Sequence, residues 1–153
     1  MSGQLYFSVG LPRSGKSTFA DKWAVKKPKR VAIGGDDIRL AIYGQRYLSK
    51  PESLVHTIKY LTIEALLVRG YDVFYDGTNT TIDSVESVMK RFKNAKYVIF
   101  DTSKEECKQR AIDTNQLDLI DIIDRMSSNI NFTILHLHLS YPDNEIKHED
   151  LDN

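Results

Sequence analysis

Short apolar segments alternate with segments of helical periodicity along the chain. Four runs of β-prone residues predict buried strands, and they cover residues 5–9, 30–33, 72–75 and 96–100. A fifth segment, residues 133–139, alternates between polar and apolar positions and predicts a half-exposed strand. Because helical segments separate the strands, the pattern predicts an α/β fold with a parallel sheet and helices on both faces.

The longest helix predicted between two strands begins at Pro51 and ends at Gly70, since proline favours the first helical turn and glycine the position after the last. Apolar residues at helical spacing predict the face of this helix that packs on the core: Leu54, Ile58, Leu61, Ala65 and Leu66. Another amphipathic helix is predicted over residues 115–128, and the tail from Ser140 is predicted to be a loop with a frayed end.

The length of 153 residues predicts one domain over residues 1–153, with a core of about residues 4–139 and a tail of residues 140–153. No apolar run approaches the roughly 20 residues that cross a membrane, and the first strand follows the N-terminus too closely for a signal peptide. The one cysteine, Cys107, excludes an internal disulfide. A cytoplasmic location is therefore expected.

Charge is balanced overall but distributed unevenly. Residues 1–50 carry 10 Lys and Arg against 3 Asp and Glu, whereas residues 101–153 carry 5 against 12. A basic first third suits a site for polyanions. Proteins that grip long nucleic acids usually have a clearer basic surplus, so a short nucleic acid end is the more compatible polynucleotide partner.

The most informative motif follows the first predicted strand and matches the phosphate-loop pattern, a glycine, four free positions and Gly-Lys-Ser. Its nucleotide-binding residues are Gly10, Leu11, Pro12, Arg13, Ser14, Gly15, Lys16, Ser17 and Thr18. The two glycines allow backbone N–H groups to point at phosphate oxygens, and the following helix adds its positive end. Lys16 is expected to reach the terminal phosphates of ATP, and the Ser17 hydroxyl to bind Mg²⁺.

Carboxylates follow the next two strands. Asp36 and Asp37 come directly after the second strand, and Asp76 ends the third. The carboxyl ends of parallel strands meet at one edge of the sheet, where ligands bind. Asp76 is therefore a candidate to support Mg²⁺ together with Ser17.

A phosphate loop with a second carboxylate across the crevice favours a kinase over a motor or a switch. Asp36 is a candidate general base for an acceptor hydroxyl. Arg39 lies one helical turn later and is a candidate to hold an anionic group of the acceptor. Arg110 and Arg125, on the helical hairpin after the fourth strand, are candidates for a helical lid over the triphosphate.

Two further features leave alternatives open. His136 and His138 lie two residues apart, a spacing that can hold a metal, but exposed strand residues are the favoured interpretation because no further ligand accompanies them. The segment at Tyr141 and Pro142 is a candidate to stack on adenine, with surface packing as an equal alternative.

The three motifs together resemble the phage polynucleotide 5′-kinase domain and its zeta-toxin-like relatives over residues 4–127. They are the phosphate loop, the Gly-Gly-Asp-Asp-Ile-Arg segment that ends at Arg39, and the Asp-Gly-Thr-Asn segment that ends at Asn79. The resemblance implies a P-loop NTPase fold of the kinase type, ATP and Mg²⁺ as cofactors, and Asp36 as the general base. It also implies Arg39 as the substrate clamp, with Asp37, Thr78 and Asn79 on the acceptor side.

The sequence departs from that family at two places. Position 13 is arginine where the kinase commonly has glycine, and residues 111–115 lack the second lid arginine. Arg13 is a candidate to supply the missing charge.

The sequence therefore predicts an ATP-dependent kinase that phosphorylates a hydroxyl, most readily the 5′-hydroxyl of a nucleic acid end or a nucleoside-like molecule. A small-molecule or sugar-nucleotide kinase is the alternative within enzymes. An ATP-binding regulator with little turnover is the alternative from another class.

Overall fold

A computed structural model describes residues 2–46 and 53–152. The strands are β1 (Leu5–Gly10), β2 (Arg30–Gly34), β3 (Asp72–Asp76) and β4 (Lys96–Phe100). The helices are α1 (Lys16–Lys26), α2 (Gly35–Tyr43), α3 (Ser53–Val68), α4 (Ile82–Arg91), α5 (Lys104–Asp113), α6 (Leu119–Ser140) and α7 (His148–Leu151), with a 3₁₀ turn at Pro142–Asn144.

The four strands form a parallel sheet in the order β2-β3-β1-β4. All four predicted strands are confirmed. Helices cover both faces, which explains why β1 reads as a nearly continuous apolar run instead of alternating. The predicted α/β fold is confirmed.

The core is divided between the two faces of the sheet. On one face, Trp23 of α1 packs at an angle against Phe74 of β3, with ring centroids 5.8 Å apart. On the other face, helices α3 to α6 bury a larger cluster around Phe7, Ile63 and Ile123. This layering leaves the carboxyl edge of the sheet open for a ligand.

The fifth strand predicted over residues 133–139 is wrong, because these residues form the last third of α6. The buried positions of α6 are Leu119, Ile123, Ile130, Thr133 and Leu137, a spacing of three, four and seven that follows a helix. The seven residues 133–139 alone are too few to distinguish this helical period from the shorter period of a strand. The helix predicted over residues 115–128 is the start of the same element, which begins at Leu119.

His136 and His138 consequently have separate partners. Nε2 of His136 lies 2.6 Å from Oε1 of Glu86 on α4, whereas Nε2 of His138 lies 3.5 Å from the Glu145 carboxylate. Among the described residues, no group of three or more His, Cys, Asp and Glu side chains could hold a metal ion. The pair therefore links α6 to neighbouring elements.

The predicted core face of the long helix is also wrong in register. Val55, Lys59 and Ile63 are buried, whereas Leu54 and Leu61 are exposed. The predicted end is confirmed, since Gly70 has a φ of 82°, in the left-handed region. Pro51, the predicted start, lies outside the described residues.

The tail packs on the core, contrary to the predicted loop. Ile146 N–H donates to the Tyr97 carbonyl over 2.9 Å, and Trp23 Nε1 donates to the Leu151 carbonyl over 3.1 Å. The Leu151 side chain is 3% exposed, among the aromatic residues beneath α1. The apolar Ile146 and Leu151 fix this segment in spite of its acidic composition.

Leu151→Ala tests this structural role. We expect it to lower the free energy of unfolding by about 2–4 kcal/mol, because it leaves a cavity beneath Trp23. Leu139→Ala, at a side chain that is 74% exposed, is the matched control and should change stability by less than about 0.5 kcal/mol. Urea unfolding of the three proteins measures the difference, and equal midpoints would contradict the packing described.

None of the helices in the described part of the chain is both long and apolar enough to span a membrane.

Candidate active site

The loop between β1 and α1 has the geometry that binds phosphate. Gly15, at the start of α1, has a φ of 100°, which side chains rarely permit. Gly10 N–H donates to the Thr78 carbonyl over 2.9 Å, and a Cβ at Gly10 would come within 2.8 Å of Phe100 and Ser14. The close approach at Gly10 and the left-handed turn at Gly15 direct the loop toward the N-terminus of α1, a site that favours anions.

Lys16 lies across this loop. Its ammonium group donates to the Leu11 carbonyl over 2.6 Å and to the Ser14 hydroxyl over 3.3 Å. Burial lowers the pKa of Lys16 to about 8, although the carboxylates of Asp76 and Asp36 partly oppose this. The lysine is therefore a preorganised cation whose charge would be stabilised by a phosphate.

Ser17 and Asp76 bring two oxygen ligands together. The Ser17 hydroxyl donates to Oδ2 of Asp76 over 2.6 Å, which joins the start of α1 to the end of β3. Burial raises the pKa of Asp76, and the hydrogen bond from Ser17 and the charge of Lys16 oppose the rise. A hydroxyl and a carboxylate beside a phosphate loop fit Mg²⁺, which prefers oxygen ligands.

Arg13 and Arg110 meet on the outer side of the loop. Arg110 on α5 donates from Nη1 to the Arg13 carbonyl over 3.1 Å and pairs with Glu106 over 2.7 Å. Arg13 is exposed and adopts a φ of 66°, the left-handed conformation that suits glycine. The structure therefore brings Arg110 to the loop, whereas Arg125 on α6 is exposed and does not line the cleft.

The arginine at position 13 permits a two-part prediction. Arg13→Gly should raise stability by about 0.5–1 kcal/mol, because relief of left-handed strain outweighs the greater freedom of glycine in the unfolded chain. If its charge replaces the missing lid arginine, the same variant should lower ATP turnover by roughly tenfold. Thermal melts and steady-state rates measure the two effects.

Lys29→Gly is the matched control, since Lys29 is also exposed and has a φ of 61°. It should give the same gain in stability with unchanged turnover. Wild-type ATP turnover in Arg13→Gly would rule out a role for the charge of Arg13. No gain in stability in either variant would rule out backbone strain at these positions.

Asp36 and Arg39 lie on the first turns of α2, at the end of β2. Nη1 of Arg39 lies 2.8 Å from Oδ1 of Asp36, which holds the carboxylate and the guanidinium as a pair. Burial raises the pKa of Asp36, and the charge of Arg39 opposes the rise. Asp37 also lines the cleft, but its side chain is 73% exposed and pairs with Arg46 over 2.8 Å.

Thr78 and Asn79 follow β3. The Asn79 side chain is buried: its amide nitrogen donates to the Ser8 carbonyl over 2.8 Å, and its oxygen accepts from the Ser84 hydroxyl over 2.7 Å. Asn79 therefore links the segment after β3 to β1 and to α4, and both Thr78 and Asn79 line the cleft.

The phosphate loop, the Ser17–Asp76 pair and the Asp36–Arg39 pair border one cleft with a volume of about 1220 Å³. The phosphate loop, Phe100 and His148 line one side of it, and α2 and α3 line the other. Tyr141 and Pro142 do not line it; the Tyr141 hydroxyl donates to Glu86 over 3.0 Å. The adenine-stacking alternative for this segment is therefore wrong.

Lys59 and Tyr75 are among the cleft residues that sequence reasoning did not single out. Lys59 is 2% exposed and donates to the Tyr75 hydroxyl over 2.7 Å. The available signal was its position between Val55 and Ile63 at four-residue spacing, which puts a charge on an apolar helix face.

Solved structures similar to this chain share its fold. A chain of the Pnkp1/Rnl/Hen1 RNA repair complex is 24% identical, with a TM-score of 0.78, over 88% of this chain and 46% of that one. The APS kinase CysC of Mycobacterium tuberculosis, in complex with AMPPNP and APS, is 17% identical with a TM-score of 0.58, over 72% and 69%. A gluconokinase from Sinorhizobium meliloti 1021 is 13% identical with a TM-score of 0.55, over 95% and 81%.

This chain thus spans less than half the length of the RNA repair protein that it resembles. No curated protein matches its sequence. A family model described as an AAA domain matches residues 5–115, which include the phosphate loop, Asp36, Asp76 and Arg110. Because the match covers more than half of the 153 residues, the chain belongs to this AAA domain family, and its fold is that of the P-loop kinases.

Proposed function

We propose that the protein is an ATP-dependent kinase that transfers the γ-phosphoryl group to a hydroxyl, with Asp36 as general base. The observation that carries the proposal is one cleft bordered on one side by Lys16 and the Ser17–Asp76 pair and on another by the Asp36–Arg39 pair. A protein that only binds a nucleotide needs Lys16 and the Ser17–Asp76 pair, but it does not need the Asp36–Arg39 pair.

The phosphate loop binds the donor. Its backbone N–H groups and Lys16 hold the phosphates of ATP, and Ser17 with Asp76 would hold Mg²⁺. The metal, when bound, neutralises charge on the phosphate oxygens. Arg110, anchored to the loop by the Arg13 carbonyl, can bring a further cation to the triphosphate.

Asp36 activates the acceptor. Its carboxylate accepts the hydroxyl proton as the acceptor oxygen bonds to the γ-phosphorus and the bond to the bridging oxygen of ADP breaks. Burial raises the pKa of Asp36, which makes its carboxylate a stronger base than that of a fully solvated aspartate. Arg39 fixes the orientation of the carboxylate through their hydrogen bond.

The acceptor class proposed first is the 5′-hydroxyl of a nucleic acid end or nucleoside. The three-motif order and the structural similarity to a chain of an RNA repair complex support it. A small-molecule acceptor is the second candidate, because the APS kinase and the gluconokinase have the same fold.

ADP release from Mg²⁺-ATP tests this proposal with a panel of acceptors: a 5′-hydroxyl oligonucleotide, nucleosides, nucleoside 3′-phosphates and sugar nucleotides. We expect the oligonucleotide or the nucleosides to stimulate release. Stimulation by sugar nucleotides alone would contradict the acceptor class, and ATP binding without stimulated release would favour a regulator.

A further inference from the structure

Lys59 is a buried cation without a carboxylate partner in the described part of the chain. Its ammonium group donates to the Tyr75 hydroxyl over 2.7 Å and to Nδ1 of His56 over 3.0 Å, and both acceptors are neutral. It also lies 4.3 Å from the centre of the Tyr75 ring. Burying a charge with only neutral partners is costly, and leucine or methionine would fill the same space without that cost.

This ammonium group lies at the acceptor side of the cleft. Tyr75 precedes Asp76 on β3, and a Cβ at Gly77 would come within 2.9 Å of the Tyr75 ring, so the ring lies directly beneath that turn. Lys59, Tyr75 and Gly77 all line the cleft. Lys59 is on α3, which packs against α2, the helix that carries Asp36 and Arg39.

Lys59 adds a positive charge that no described carboxylate at this edge of the cleft pairs with. The charge of Arg39 lowers the pKa of both Lys59 and His56, although burial is the larger cause for each. The carboxylates of this edge are engaged elsewhere: Asp36 with Arg39 and Asp76 with Ser17. An anion entering the cleft would relieve the repulsion between Lys59 and Arg39.

We propose that Lys59, held by Tyr75 and His56, forms with Arg39 a subsite for a phosphate group that the acceptor carries near its reacting hydroxyl. Lys59 supplies the ammonium group, and Tyr75 and His56 are positioning residues that fix it. Since an ammonium group only donates hydrogen bonds, Nδ1 of His56 accepts, and the ring carries its proton on Nε2. This inference rests on the proposed function, because it divides the cleft into donor and acceptor sides.

The test measures acceptor binding with the donor site saturated by AMPPNP and Mg²⁺, so that the phosphate loop is occupied. Isothermal titration compares a nucleoside 3′-phosphate with the same nucleoside lacking the phosphate. We expect the phosphorylated ligand to bind roughly 10- to 100-fold more tightly, as a charge-assisted contact provides. Inorganic phosphate should compete with it.

Lys59→Met should remove the preference for the nucleoside 3′-phosphate over the nucleoside and leave AMPPNP binding unchanged. Lys59→Arg should retain part of that preference. Tyr75→Phe, which keeps the ring and removes the hydroxyl, should weaken the preference. The matched control is Lys93→Met, at an exposed lysine outside the cleft. Thermal melts of all variants check that the fold is intact.

Equal binding of the two ligands, or an unchanged preference in Lys59→Met, would overturn the subsite. If phosphoryl transfer persists in that case, the kinase proposal survives alone. If the preference is found but no acceptor is phosphorylated, the subsite stands and the proposed function fails.

Discussion

Asp36→Asn should lower phosphoryl transfer by roughly 10²- to 10⁴-fold and leave ATP affinity nearly unchanged. Asparagine keeps the shape of the side chain and can still contact Arg39, but its amide cannot take the proton of the acceptor hydroxyl. The affinity for ATP should persist because the donor contacts come from the phosphate loop, Ser17 and Asp76. Single-turnover rates and equilibrium ATP titrations measure the two quantities separately.

The pH dependence of the same reaction gives an independent check. A general base must be ionised, so the rate should fall as the pH decreases through the pKa of Asp36. Because burial raises that pKa, the fall should occur at a higher pH than an exposed aspartate would give. The transfer rate of Asp36→Asn should not show this fall at low pH.

Asp83→Asn is the control, since Asp83 is exposed on the first turn of α4 and does not line the cleft. Its transfer rate should equal that of the wild type. A wild-type rate in Asp36→Asn would assign the base to another group.

Lys16→Met should weaken ATP binding and slow transfer, with a combined loss of at least about 10²-fold. The ammonium group is the buried cation of the phosphate loop, and methionine replaces its carbon chain with little change in volume. Lys90→Met, at an exposed lysine on α4, is the matched control.

The lowered pKa of Lys16 also leads to a prediction of how ATP affinity depends on pH. Its pKa is about 8 in the free protein, and phosphate contacts should raise it. Above pH 8 the free lysine loses its proton and must regain it on binding, so affinity should fall by up to about tenfold per pH unit until the pKa of the complex. Lys16→Met should lack this dependence, and a flat affinity for the wild type from pH 7 to 9.5 would contradict it.

The parts of the site that are local or topological could be predicted from the sequence. The phosphate loop is a continuous motif, and the rule that parallel strands end at one edge was enough to bring Asp36 and Asp76 to it. The four strands of the sheet are short apolar runs with clear limits, and all are confirmed.

The features that depend on packing could not be predicted in this way. Residues 133–139 satisfy a strand period in seven residues, but the 22 residues of α6 satisfy a helical period with the correct buried face. Lys59 looked like one more charged helix residue, because the predicted core face of α3 included Leu54 and Leu61 instead of Val55 and Ile63. Likewise, the acidic tail gave no sign that Leu151 completes the core beneath Trp23.

The most direct test of the account is the identity of the phosphorylated product. Phosphorus NMR of the protein with Mg²⁺-ATP and a 5′-hydroxyl oligonucleotide follows the γ-phosphoryl group itself. The account predicts that the γ signal is replaced by a phosphomonoester on the oligonucleotide, and that Asp36→Asn suppresses this signal. Conversion of the γ signal to inorganic phosphate with the oligonucleotide unchanged would contradict the transfer to a hydroxyl.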